Sequence, residues 1–477
     1  MSILMRKTKI VATLGPSTSS DEMITKLVLA GVNVFRFNFS HGDHKSHGDN
    51  FQKIRAISAR LDRPVAILQD LSGPKIRIGD VKEPFNIRRG DHLSILKNCR
   101  MGDSNSVGIN HPGIINNLKV GSRVYLADGL ITLKAIQKIE GGFVFEALNN
   151  GVVSSRKGLN FPDVDIDLPA LSQKDYDDIK FGIQLGFDYI ALSFVKNRKD
   201  VELIKDVIYS MNVTIPVIAK IEKHEALKNI DDIIDVADAV MIARGDLGIE
   251  VDIERIPVIQ KEIIRKCNRA GKPVITATQM LTSMILNVRP TRAEVNDIGN
   301  AILDGSDALM LSDETTIGEY PLEAIETMVN TIKYTESTYD YYKTMDKLKV
   351  DCSIAYASCQ LADNLKARFL CVFTQTGASA RNVSMFRPEC DILANVYDEK
   401  TYNRLSLVWG VNPYLILKDN KDLEIMTAQF VKEAFRSELI HDNDIVVAIM
   451  GYPAGKPGST NMIRVLRSAD FENYLRQ

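Results

Sequence analysis

Four short runs decide the fold: PVIAKIE at 216–222, AVMIARGD at 239–246, PVITATQM at 273–280 and ALMLSDE at 308–314. Each is an apolar stretch of strand length that ends on charged or hydroxyl residues. Working outward, the same kind of text stands upstream as KIVATLG (9–15), VNVFRFNF (32–39), VAILQDL (65–71) and YIALSFV (189–195), which brings the number to eight. Most of these runs lead into helical spacing. From Asp21 to Ala30, Met23, Ile24, Leu27 and Val28 recur at the interval of one buried stripe. Strands that alternate with helices predict a parallel sheet covered on both faces, and eight such units predict an α/β chain built on a (β/α)8 TIM barrel.

The eight units are not evenly spaced. Between Leu71 and Tyr189 the chain runs far beyond the roughly 2–6 residues of an ordinary βα connection, so a domain is inserted there. Its text, with GDHLSIL, SRVYLADGLITLKAI and GGFVFEAL, alternates apolar and polar residues and turns at Asp128-Gly129 and Gly141-Gly142. This predicts a small all-β lid domain over 78–163, with the barrel formed by 1–77 and 164–345. After the charged segment KTMDKLKVD at 343–351, the runs FLCVFT, DILANVY, PYLIL and DIVVAIM predict a separate αβ domain over 350–477.

Composition narrows the function. The 477 residues suit about three domains, and 45% hydrophobic with 25% charged residues is ordinary globular usage. Lys and Arg number 59 against 61 Asp and Glu, a net charge of -2, which argues against a nucleic-acid or anionic-membrane partner. No apolar run approaches the roughly 18–20 residues that span a bilayer. The six cysteines (Cys99, Cys267, Cys352, Cys359, Cys371 and Cys390) form no CxxC pair and are expected as small apolar residues of a cytoplasmic protein.

The chemistry stands at the strand ends, where barrels of this kind keep their active sites. Those ends read Arg36-Phe37-Asn38-Phe39-Ser40-His41, Asp70, Lys220-Ile221-Glu222, Arg244-Gly245-Asp246, Thr278-Gln279-Met280 and Asp313-Glu314. Taken singly, each charged residue reads as a solvated rim group. Together they put two cations and several carboxylates on one mouth. Lys220 and Glu222, two apart on a strand, share a face. Glu222 and Asp246 offer hard oxygens to Mg2+ or Mn2+, while Arg36 and Lys220 offer charge to a phosphoryl group. Gly245 lets backbone approach an anion, and a helix starting there would aim N–H groups at it. Residue chemistry alone leaves phosphoryl transfer and a metal-assisted lyase both open.

The longer motifs narrow this further. TKIVATLGPS (8–17), RFNFSHG (36–42), GPKIR (73–77), KGLNFP (157–162), AKIEKHEA (219–226), MIARGDLGIE (241–250), ATQMLTSM (277–284), PTRAEVND (290–297) and AILDGSDALMLSDET (301–315) resemble the pyruvate kinase family in order and content. The resemblance implies a barrel, an inserted β-barrel lid and an αβ C-terminal domain. It implies transfer of the phosphoryl group of phosphoenolpyruvate to ADP, giving pyruvate and ATP. By the same resemblance Lys220 lies against the transferring group, Glu222 and Asp246 hold Mg2+ or Mn2+, and Arg36 and Arg77 grip the phosphate. The backbone of Ala243, Gly245 and Asp246, with Thr278, binds the substrate carboxylate. Thr278 is also a station in a water relay that protonates the enolate. His41 and Lys157 resemble ADP-contacting positions. A homotetramer is implied as well. Another metal-dependent lyase on the same barrel, or a non-catalytic effector-binding relative, are the alternatives.

Three features call for separate expectations. Many members require K+ at Asn, Ser, Asp and Thr positions beside a GPEIR glutamate. Here Asn38, Ser40 and Asp70 match, Leu71 takes the fourth place and Lys75 replaces the glutamate, so the ammonium of Lys75 is expected to stand in for the ion. In the C-terminal domain, Thr374, Thr376, Gly377 and Ser379, with Lys456 from GYPAGKPGST at 451–460, resemble a sugar-phosphate effector pocket and predict activation by a phosphorylated metabolite. Finally, Asp313 stands where a small residue is usual, and a left-handed turn there would be tolerated by Asp.

Overall fold

The structure, a computed structural model, describes residues 6–127, 129–162, 164, 168–345, 350–417, 422–454, 456 and 458–476. Eight parallel strands close into a barrel: Lys9–Thr13, Val34–Asn38, Ala66–Asp70, Tyr189–Leu192, Val217–Ile221, Ala239–Ala243, Val274–Ala277 and Ala308–Leu311. Each pairs with its neighbours in chain order, and the first closes on the eighth with Lys9 opposite Ala308. Val11, Val34, Leu68, Ile218, Met241 and Met310 form a buried cluster of strand residues. Larger clusters, such as Ile10, Phe35, Ile54 and Ile302, seal the strands against the helices. Several strands are shorter than their apolar text. The runs at 189–195 and 273–280 stop at Leu192 and Ala277, because Phe194, Thr278 and Gln279 take left-handed backbone (φ +56°, +69° and +56°) and turn the chain across the mouth.

The segment between the third and fourth barrel strands forms a six-stranded sheet and a two-stranded ribbon. The ribbon pairs Phe85–Ile87 with Gly151–Val153. Leu93, Ile95, Val124, Leu133, Phe143 and Phe145 alternate along the sheet strands and bury one apolar core. Gly141 makes its expected turn at φ +73°, whereas Asp128 of the other turn lies outside the described residues, as does the expected boundary at Asp163. Isolated bridges at Arg77↔Gly158 and Ile78↔Ile109 close the lid's base.

The C-terminal sheet has five strands, in the order Val411–Ile416, Asp391–Val396, Phe369–Phe373, Val446–Gly451 and Thr460–Leu466. The last is antiparallel and was not expected from the sequence. Helix Val350–Asn364 begins inside the charged segment; residues 346–349 of that segment lie outside the described residues. Half of the six cysteines fit the expected burial. Cys267, Cys359 and Cys371 are buried, whereas Cys99, Cys352 and Cys390 are half-buried, and all are free thiols.

Barrel and C-terminal domain meet through buried polar groups. Arg387, 2% exposed, donates to Asp307 Oδ1 at 2.8 Å, Asn268 Oδ1 at 2.7 Å and the Gly305 carbonyl at 2.9 Å, with Trp409 against its guanidinium. Lys9 Nζ donates to the Val411 carbonyl at 2.6 Å, and Lys7 Nζ pairs with Asp391 at 2.5 Å. Such groups tolerate burial because each finds a partner. No helix among the described residues is long and apolar enough to cross a membrane.

Candidate active site

The second and third strands set the first pair of charges. Their register puts Asn38 opposite Asp70 and Arg36 two residues back, so the arginine reaches forward along the barrel mouth. Arg36 Nε lies 2.6 Å from Asp70 Oδ2, and Arg36 Nη1 donates to Thr13 Oγ1 at 3.0 Å. From the fifth strand, Lys220 Nζ comes 3.1 Å from Asp70 Oδ1 and 2.9 Å from Glu222 Oε1, and donates to Ser193 Oγ at 2.8 Å. Asp70 therefore sits between two cations.

The electrostatics follow from this packing. Burial alone would drive the Lys220 ammonium toward neutrality, but Asp70 and Glu222 outweigh it and hold its pKa above the ordinary lysine value, with Asp246 adding to the effect. Burial would likewise raise Asp70, yet Lys220 and Arg36 pull its pKa below the usual carboxylate range. Glu222, almost fully buried, uses Oε2 to accept the Phe194 N–H at 2.7 Å. The left-handed turn at Phe194 is what aims that amide at the carboxylate.

The sixth and seventh strands shape the other side. A short helix, Arg244–Glu250, starts directly from the sixth strand and carries Asp246 in its first turn. The Gly245 N–H, expected to be free for an anion, donates instead to Thr278 Oγ1 at 2.8 Å; that hydroxyl donates to the Ala277 carbonyl at 2.6 Å. Arg244 braces the strained turn, with Nη2 on the Thr278 carbonyl at 2.7 Å, Nε on that of Ala277 at 3.2 Å, and Nη1 on Asp297 at 2.8 Å. Asp313 is a correction: its backbone is not left-handed, because it opens the helix Asp313–Thr316, and its side chain is exposed. Glu314 beside it is buried and accepts the N–H groups of Leu281 and Ser312.

The remaining expected residues are placed as follows. Arg77 lies in the lid base, where its N–H donates to Asn110 Oδ1 at 2.9 Å, and its guanidinium has no ion-pair partner among the described residues. His41 and Lys157 are exposed, on the turn after the second strand and on the lid. Asn38 Oδ1 accepts the Ser40 N–H at 3.1 Å. The Leu71 side chain is buried in an apolar cluster, and its carbonyl accepts the Ser193 hydroxyl at 2.7 Å. Lys75 is exposed and lines, with Asp246 and Phe194, a cavity of about 80 Å3 at the base of the lid. In the C-terminal domain, Thr374, Thr376, Ser379 and Lys456 line a cavity of about 50 Å3, while Gly377 (φ +77°) starts helix Ala378–Ser384. Ser379 and Thr460 hydroxyls meet there at 2.6 Å.

Sequence reading missed Thr13, Ser193 and the node at Glu250. There Lys223 Nζ lies 2.6 Å from Glu250 Oε1 and His224 Nδ1 3.3 Å from Oε2, while Asn160 of the lid donates to Oε1 at 3.3 Å. The donor set of Glu222 and Asp246, two carboxylates at one mouth, fits a hard divalent cation.

A (β/α)8 barrel whose C-terminal mouth gathers two cations round buried carboxylates belongs to the class of barrel enzymes equipped for an anionic, phosphorylated substrate. A family model described as "Pyruvate kinase, barrel domain" matches residues 5–325, and one described as "Pyruvate kinase, alpha/beta domain" matches residues 352–466. The chain belongs to the pyruvate kinase family. It is 41% identical over 470 residues to the pyruvate kinases of Staphylococcus aureus strains MRSA252 and USA300, covering 97% of this chain and 80% of each relative. The crystal structure of a pyruvate kinase from Cryptosporidium parvum superposes with TM-score 0.91 at 35% identity, covering 97% of this chain and 96% of that one. The chain is accordingly a phosphotransferase acting on phosphoenolpyruvate and ADP.

Proposed function

We propose that the phosphoryl group of phosphoenolpyruvate is received between Arg36 and Lys220. The observation that carries this reading is the pairing of both cations with the one buried carboxylate of Asp70, which pre-sets their directions. Lys220, kept charged by its neighbours, stabilises the charge that develops on the phosphoryl oxygens in transfer. Arg36 and, from the lid base, Arg77 orient the phosphate. Glu222 and Asp246 hold Mg2+ or Mn2+, which when bound supplies positive charge to the substrate oxygens. The backbone of Ala243, Gly245 and Asp246 and the Thr278 hydroxyl take the substrate carboxylate, with the Gly245–Thr278 hydrogen bond exchanged on binding. Thr278 then passes a proton toward the methylene carbon through water.

His41 and Lys157 contact ADP, Lys157 arriving with the lid, whose closure excludes water from the transfer. The barrel comprises 1–77 and 164–345, the lid 78–163 and the regulatory domain 350–477. Asn38, Ser40 and Asp70 hold no K+: Asp70 is already paired with Arg36 and Lys220, Leu71 offers no side-chain oxygen, and Lys75 supplies the charge. A phosphorylated metabolite binds at Thr374, Thr376, Gly377, Ser379 and Lys456 and activates a cytoplasmic homotetramer. The test is pyruvate release by the pure protein with phosphoenolpyruvate, ADP and Mg2+, repeated with Lys220→Met. Parent turnover that survives the substitution overturns the assignment of Lys220.

A further inference from the structure

Two buried hydroxyls stand behind the two cations in the same manner. Thr13 Oγ1 donates its proton to the Leu311 carbonyl at 2.8 Å, and Ser193 Oγ donates its own to the Leu71 carbonyl at 2.7 Å. With the proton committed to a barrel carbonyl, each oxygen has only lone pairs left for a second partner. Thr13 turns them to Arg36 Nη1 at 3.0 Å and Ser193 to Lys220 Nζ at 2.8 Å. Both residues are nearly fully buried, 2% and 3% exposed, so no water competes for the place. Asp70 sits between the cations, and a hydroxyl lies beyond each of them.

We propose that Thr13 and Ser193 are positioning residues for phosphoryl transfer, fixing Arg36 and Lys220 against the pull of the carboxylates they face. This rests on the reading of the barrel mouth given above. The two hydroxyls have different consequences, because the two cations face different carboxylates. Among the described residues Arg36 forms an ion pair with Asp70 alone, so loss of the Thr13 acceptor lets the guanidinium swing away from the phosphate position. Lys220 meets Asp70 and also Glu222, a residue required for the divalent cation. Without Ser193 the ammonium has only carboxylates to bind, holds Glu222 more tightly and competes with the metal.

The experiment uses the full chain with Thr13→Val and Ser193→Ala, and with Thr13→Ser and Ser193→Thr as conservative rescues. Binding of Mn2+ to the enzyme without substrate is measured by water-proton relaxation, and KM for phosphoenolpyruvate and kcat by pyruvate release. Ser193→Ala is expected to weaken Mn2+ binding roughly tenfold and to lower kcat at saturating Mn2+ by about as much, the size of one hydrogen bond to a charged group. Thr13→Val is expected to raise KM for phosphoenolpyruvate roughly tenfold while Mn2+ binding stays within about twofold. The rescues should restore each parameter. Unchanged Mn2+ binding in Ser193→Ala overturns the proposal, as does a uniform loss of all parameters with melting temperature that the rescues fail to repair. If the parent shows no ADP-dependent pyruvate release but Ser193→Ala still weakens Mn2+ binding, the hold of Ser193 on Lys220 stands and the reading of the barrel mouth as a site of phosphoryl transfer falls.

Discussion

Replacing Thr278 by glycine separates two things that the native residue does at once. Its φ of +69° puts a β-branched residue in a region that costs an L-residue about 1–2 kcal/mol. Its hydroxyl makes two hydrogen bonds, at 2.8 Å with Gly245 and 2.6 Å with Ala277, each contributing about 1 kcal/mol net. Glycine relieves the strain and loses the bonds, and its freedom in the unfolded chain costs about 0.5–1 kcal/mol more. The sum is a loss of roughly 1 kcal/mol, whereas Thr278→Ala keeps the strain, loses the bonds and is destabilised by about 2 kcal/mol. Activity does not follow that order. Both variants lack the hydroxyl proposed to relay the proton and should lose about 10²–10⁴-fold in kcat, while Thr278→Ser stays within about tenfold of the parent. Turnover at saturating phosphoenolpyruvate, ADP and Mg2+, with denaturation curves alongside, gives both quantities. A glycine variant that turns over at more than about a tenth of the parent rate, a barrier change below about 1.4 kcal/mol, would falsify the role of the hydroxyl. One that unfolds well before the alanine variant refutes the strain argument.

Removing the Arg387 guanidinium with Arg387→Met leaves Asp307 buried without its ionic partner at the seam between barrel and C-terminal domain; a loss of about 3–5 kcal/mol is expected in urea unfolding, and a change under about 1 kcal/mol counts against the pair's importance. Burial pushes the Lys9 amine down to about 7 from 10.5, so between those pH values the unfolded chain binds a proton that the fold does not. Stability should therefore rise with pH across that window relative to Lys9→Met, and equal slopes in the two proteins at pH 7–9 contradict this. Activity in Tris buffer should rise less than about tenfold on adding K+. Lys75→Glu combined with Leu71→Thr should become K+-responsive, and an unchanged K+-free rate in Lys75→Glu alone removes Lys75 as the substitute charge.

What could be read from the sequence, and what could not, divides along a physical line. Strand positions follow from apolar runs bounded by turn residues, and Lys220 with Glu222 is a local relation two residues long, so both were legible. Asp70 with Lys220 is not local: the third and fifth strands are not neighbours, and only closure of the barrel brings Nζ to 3.1 Å from Oδ1. The left-handed turns at Phe194, Thr278 and Gln279 carry no glycine or asparagine to announce them; packing imposes them against local preference. Phe194 consequently reads as one more strand residue in YIALSFV, although its amide is what orients Glu222. The same holds for the hydroxyls of Thr13 and Ser193. Nothing in their own sequence says where the proton goes, because the accepting carbonyl belongs to an adjacent strand or its extension, 298 residues away for Thr13 and 122 for Ser193. Charge balance explains why such a constellation can be buried at all. Arg36 and Lys220 are matched by Asp70 and Glu222 within ion-pair distance, so these four groups balance one another in charge. On the proposed reading, a dianionic phosphate that displaces those carboxylates would meet cations whose positions barrel carbonyls fix through two hydroxyls, with little reorganisation left for the moment of transfer.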